Sequence, residues 1–137
     1  MDREEANTDQ PKTRWFIDFG WFQQNSRSIP TLVKSRLCAK CRKQLEIEGK
    51  EPANIEELLS TIKDCCGNGA DFITGQLPIL ESVFRFFLAN GNQPLTLEEL
   101  RKQLSEKRGG DTSRTSEGIL SRLLKSDQFY GLQPAPD

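Results

Sequence analysis

Residues 77–91 read LPILESVFRFFLANG. Proline in the first turn opens a helix here, and Asn90-Gly91 closes it. Between them lie Ile79, Leu80, Val83, Phe84, Phe86, Phe87 and Leu88, apolar around most of the circumference. Such a helix must be buried on more than one side. The stretch therefore predicts a mainly α protein whose other elements close around it.

Downstream, Pro94-Leu95 leads into Thr96-x-x-Glu99, a capping box. The helix it opens buries Leu97, Leu100 and Leu104 and ends at Arg108-Gly109-Gly110. A third helix is expected from Asp111-Thr112-Ser113 to Lys125 or Ser126, with Ile119, Leu120, Leu123 and Leu124 inside. An extended piece, Phe129 to Leu132, follows, and Pro134 and Pro136 end the fold. In length and order, residues 77–133 resemble a small winged helix. That resemblance implies a minimal strand pair, Gln93–Leu95 against Phe129–Leu132. Two departures stand out: one strand rather than two follows the third helix, and the turn Arg108–Thr112 is long for a helix-turn-helix.

Upstream, residues 1–13 hold no large apolar residue after Met1 and predict a disordered tail. Trp15-Phe16-Ile17-Asp18-Phe19-Gly20-Trp21-Phe22 follows, as a short strand or the first turns of a helix capped by Asp18. Five aromatics in eight residues must be mostly buried. The natural place is the helix face that carries Val83 or Phe86. Ser28-Ile29-Pro30 starts the next helix, whose stripe Leu32, Val33 and Leu37 leads to Cys38. A polar connection through Gly49, Lys50 and Pro52 is expected after Cys41. Asn54, with Glu57 as its box partner, then caps a helix of Ile55, Leu58, Leu59 and Ile62 that Gly67-Asn68-Gly69 stops.

The four cysteines are Cys38 and Cys41, in C-x-x-C spacing, and the adjacent Cys65 and Cys66. Four thiolates complete a tetrahedral zinc site without histidine, and this chain has none. The C-x-x-C turn offers two sulfurs to one ion. Adjacent cysteines both ligate only if the backbone turns, as Gly67-Asn68-Gly69 allows. Structural Zn2+ held by Cys38, Cys41, Cys65 and Cys66 is the leading expectation. Buried or free thiols without metal, and an iron–sulfur or redox pair, stay open.

Charge is balanced overall, at net −1, but not locally. Residues 24–50 carry seven basic residues, including Lys40, Arg42 and Lys43, against Glu46 and Glu48. On a wheel, the third tail helix sets Arg114, Gly118, Ser121, Arg122 and Lys125 opposite its apolar side. Basic side chains, a hydroxyl and a glycine suit close approach to nucleic acid. Arg114, Ser121, Arg122 and Lys125 are thus candidate contacts, with Lys40, Arg42 and Lys43 touching neighbouring phosphates. A solvated helix face or a protein-docking face fits the same pattern.

The absence of histidine removes Ser-His-Asp and Cys-His catalysis. No phosphate-binding glycine loop is present, and no small-molecule substrate is evident. No membrane-spanning run or secretory leader is legible, which points to the cytoplasm. The aromatic opening, the C-x-x-C-Arg, the capped helix ending in Cys-Cys and the three-helix tail together resemble an uncharacterised bacterial protein family. That resemblance implies a bacterial setting and no activity. The expectation is a tail (1–13), a four-cysteine zinc module (14–76) packed on a winged-helix-like module (77–133), and a tail (134–137). The function expected is a non-enzymatic, nucleic-acid-associated or transcription-related protein. Alternatives are a protein–protein adaptor or oligomerisation module, and a redox or iron–sulfur protein.

Overall fold

The structure is a computed structural model that describes residues 13–48, 55–69, 71–109 and 116–135. The aromatic opening divides into two elements. Arg14–Ile17 forms strand β1, and Phe19–Gln24 forms helix α1, capped where the Asp18 carboxylate accepts from the Gly20 N–H at 3.0 Å. Helix α2 (Ile29–Lys34) starts at the expected Ser28 cap. Helices α3 (Ala39–Glu48), α4 (Ile55–Asp64) and α5 (Ile79–Ala89) follow. Strand β2 (Leu95–Thr96), helices α6 (Leu97–Lys107) and α7 (Glu117–Ser126) and strand β3 (Leu132–Pro134) complete the order. No described helix is long and apolar enough to cross a membrane.

Helix α5 is the pivot. Seven of its residues are buried, and α4, α6 and β1 all pack on it. The aromatic strand thus lies on the central helix. One hydrophobic core joins Trp15, Phe22 and Val33 to Ile62, Phe84, Phe87, Leu100, Leu120 and Leu132. The capping box of α6 forms in full: the Glu99 N–H donates to Thr96 Oγ1 and the Thr96 N–H to Glu99 Oε1.

The sheet corrects one expectation. The strands on either side of α6 and α7 do not pair with each other. Both pair antiparallel with β1, which lies between them. Trp15 stands opposite Leu95 on one side and Pro134 on the other. A strand burying both Trp15 and Ile17 needs its backbone groups satisfied along two edges. Asn92 completes the shorter edge: Ile17 N–H donates to its Oδ1, and its Nδ2 donates to the Ile17 carbonyl, both at 2.9 Å. Phe129 and Tyr130 are not strand residues. The Asp127 carboxylate accepts from the N–H groups of Phe129, Tyr130 and Leu132, folding that segment into a turn. Gly131 then passes so close to Phe22 that a Cβ there would lie 2.6 Å from the ring, at a φ of 68°.

Two helix boundaries also differ. Ser116 caps α7, its Oγ accepting from the Ile119 N–H, so that helix starts later than the Asp111–Ser113 cluster suggests. Residues Ala39–Glu48 are helical rather than a polar connection. They lack an apolar stripe, but nearly all are strong helix formers. The expected Asn54 cap falls outside the described residues.

Candidate metal centre

Cys38 directly precedes α3, and Cys41 lies in its first turn. The Arg42 N–H donates to the Cys38 carbonyl, so this turn winds both side chains toward one point. The second pair arrives from α4. Helical hydrogen bonding continues to Cys65, whose N–H reaches the Thr61 carbonyl. At Cys65 the backbone leaves helical geometry (φ −134°, ψ −70°), and a 3-10 turn, Cys66–Asn68, begins. That break lets adjacent cysteines face the same way. Gly67 makes room for it: a Cβ there would stand 2.9 Å from both Ala89 Cβ and the Ile62 carbonyl.

The four Sγ atoms all lie within 4.8 Å of one another. Cys38 Sγ stands 3.3 Å from Cys66 Sγ and 4.0 Å from Cys65 Sγ. No disulfide links them. With metal–sulfur bonds of about 2.3 Å, tetrahedral geometry sets sulfurs about 3.8 Å apart. The spacing therefore fits one ion. An all-sulfur donor set suits soft or borderline metals. Cys66 is 3% exposed and the other three are half-buried. The Cys38 N–H donates to Cys66 Sγ at 3.1 Å, the kind of bond that supports a thiolate.

The thiols do not behave alike. A hydrogen bond from the Cys41 backbone, then one from the Cys66 thiol, lowers the Cys38 pKa to about 7. Burial pushes Cys41 and Cys66 up. The Cys66 thiol donates to Cys38 Sγ, which favours charge on that sulfur. A bound dication supplies the charge that lets thiolates replace thiols.

Beside the quartet lies a second cluster that the apolar pattern of the sequence does not reveal. Glu81, 8% exposed, sits inside α5. Arg36 grips it with two bonds, Nε to Oε2 at 2.9 Å and Nη2 to Oε1 at 2.7 Å. Arg85 Nε donates to Oε2 and the Tyr130 hydroxyl to Oε1, each at 2.8 Å. Burial alone would raise the Glu81 pKa, but the bonds from Arg36, Arg85 and Tyr130 outweigh it and hold it at about 2. Arg36 also stacks over Phe84 and Arg85 over Phe72. The one signal in the sequence is Glu81 and Arg85, four apart on an otherwise apolar helix.

The candidate nucleic-acid residues fall on two separate elements. Lys40, Arg42 and Lys43 are exposed on α3, whose foot is the cysteine quartet. Arg122 and Lys125 are exposed on α7, which packs on α6 and β3, and Ser121 is half-buried there. Arg114 lies outside the described residues. No family model, curated protein or solved structure matches this chain.

Proposed function

We propose that Cys38, Cys41, Cys65 and Cys66 hold one structural Zn2+, and that the protein is a non-enzymatic, nucleic-acid-associated protein. The observation that carries the metal reading is four sulfurs, drawn from two chain segments, within 4.8 Å of one another. A site closed by four thiolates leaves no position for a catalytic water. The ion ties the start of α3 to the end of α4.

The nucleic-acid reading rests on α3. Lys40, Arg42 and Lys43 crowd its first turns, where the helix dipole disfavours cations. Metal-bound thiolates at that end offset the penalty and leave a basic surface free to meet phosphates. Arg122 and Lys125 on α7 are the second point of attachment. In this reading residues 77–133 are a winged-helix variant in which β1 stands in for the missing wing strand. A protein-docking role is the second reading, favoured by Ile47, 72% exposed on α3, and Phe129, 41% exposed beside Arg27.

Two measurements test the proposal. Metal analysis of protein purified without chelator should give about one zinc per chain; folded protein with no metal overturns that half. Titration of labelled duplex DNA at two salt concentrations should show binding that weakens with salt. Replacing Lys40, Arg42 and Lys43 by alanine should lower the salt slope by roughly one unit for each phosphate no longer neutralised. Absence of binding at low salt gives the function to the docking reading.

A further inference from the structure

Cys38 and Cys66 differ from Cys41 and Cys65 in what they face. A cleft of about 440 Å³ opens beside the quartet, and its walls include Cys38 and Cys66 but neither of the other two. Arg36, Arg42 and Arg85 stand in the same walls, with Asp71. Glu81 holds Arg36 and Arg85 in place, so the cleft keeps a fixed positive lining. The sulfurs of these two wall residues are 3.3 Å apart.

We propose that this cleft is a modification site, where a hydroperoxide such as hydrogen peroxide joins Cys38 and Cys66 in a disulfide and the metal leaves. The inference rests on the metal reading above, because the ion would leave a quartet that had lost half its thiolates. Cys38 is the more open of the two and reacts first. Its thiolate attacks one peroxide oxygen; an S–O bond forms and the O–O bond breaks. The departing oxygen leaves as hydroxide and takes a proton to become water. The guanidinium charge of Arg42, in the cleft wall, favours that departure, as a nearby cation does wherever negative charge develops. The Cys66 thiolate then attacks the Cys38 sulfur. The S–S bond forms, the S–O bond breaks, and a second hydroxide leaves and is protonated. Two thiolates, one peroxide and two protons give one disulfide and two waters. The sulfurs lose two electrons and the peroxide gains them. From the spacing of about 3.8 Å that tetrahedral coordination sets, the sulfurs need to close by about 1.8 Å to reach disulfide length. Cys41 and Cys65 are left as two donors, too few to retain the ion tightly.

The test uses the full chain loaded with zinc, treated with hydrogen peroxide. A metallochromic dye follows released zinc, and non-reducing peptide mapping by mass spectrometry identifies the pairs. The first disulfide should be Cys38–Cys66, with zinc released in step, and dithiothreitol plus zinc should reverse both. Arg42→Ala should slow both about three- to tenfold, Arg42→Lys should recover most of the rate, and Lys63→Ala should change nothing. A first disulfide between Cys41 and Cys65 overturns the proposal, as does zinc retained with all four thiols still open to alkylation. An unchanged rate in Arg42→Ala removes the role given to that guanidinium. Zinc content is measured before oxidation. Protein that carries none overturns the metal reading, while its disulfide map still decides which sulfurs the cleft serves.

Discussion

Two polar clusters lie side by side in this protein, and they solve the problem of buried charge in opposite ways. Around Glu81, one carboxylate meets two guanidinium groups and a phenol, all within 2.9 Å. Its oxygens are saturated by side chains from three parts of the chain. Around Cys38, four sulfurs meet mainly one another. Among them the Cys66 thiol donates to Cys38 Sγ at 3.3 Å. The first cluster balances its charge with its own side chains, and the second presents four sulfurs whose spacing fits a metal ion. Both are partly buried and both join distant segments, so burial alone does not separate them. What separates them is whether the partners on hand balance the charge.

The largest effect should come from the cysteine cluster. Cys38→Ser, or a strong chelator, should remove the metal and cost on the order of 10 kcal/mol of apparent stability in the segment it ties down. Helicity of α3 should fall with it in circular dichroism. A variant as stable and helical as the parent would show that the quartet is as self-sufficient as the Glu81 hub. The next effect belongs to that hub. Glu81→Gln leaves two arginines without their carboxylate and should cost about 3–5 kcal/mol in urea denaturation. The Glu81 pKa is about 2 in the folded chain against 4.5 ordinarily. Its contribution is therefore complete above pH 4.5 and is lost as pH falls toward 2. The glutamine variant should lack that acid-dependent loss. If both proteins lose stability in parallel over that window, another carboxylate is responsible.

Smaller effects sharpen the contrast. Gly67→Ala sets a Cβ 2.9 Å from Ala89 and from a backbone carbonyl. It should cost about 1–3 kcal/mol and weaken metal binding, because the turn presenting Cys65 and Cys66 must shift. Tyr130→Phe removes one hydrogen bond to the Glu81 carboxylate and should cost roughly 1.5 kcal/mol, with metal content unchanged. A Tyr130→Phe variant that lost metal would show the two clusters to be coupled through Arg36. Alanine at Lys40, Arg42 and Lys43 should move stability by no more than about 0.5 kcal/mol, since all three are exposed.

The sequence makes legible whatever depends on local chemistry. The apolar circumference of α5, the Ser28 cap and the Thr96–Glu99 box all form as expected. The four cysteines do converge, because ligand spacing is itself a local signal. Helix α3 escapes a search for apolar periodicity because it has almost none; its helix-forming side chains are the better guide. The Glu81 hub is hidden because its partners, Arg36 and Tyr130, are 45 and 49 residues away. A polar residue in an apolar helix announces that a partner exists and gives no hint of which one. The strand order is hidden for a similar reason. Each strand is legible singly, but pairing across the chain is a tertiary choice, decided here by the need of Trp15 and Ile17 for cover on both edges.

That strand order has a consequence for how the chain comes into being. β1 leaves the ribosome before either of its neighbours, and the seven α-helices among the described residues separate it from β3. Until Leu132–Pro134 has emerged, Trp15 and Ile17 can have at most one edge paired, and the aromatic opening must wait in water or in a non-native shelter. Pairings between strands so far apart in the sequence are slow to form, and an apolar strand left waiting is prone to aggregate. The middle strand of this small sheet is therefore the last to be locked, and premature termination before β3 would leave the most aromatic stretch of the protein without its frame.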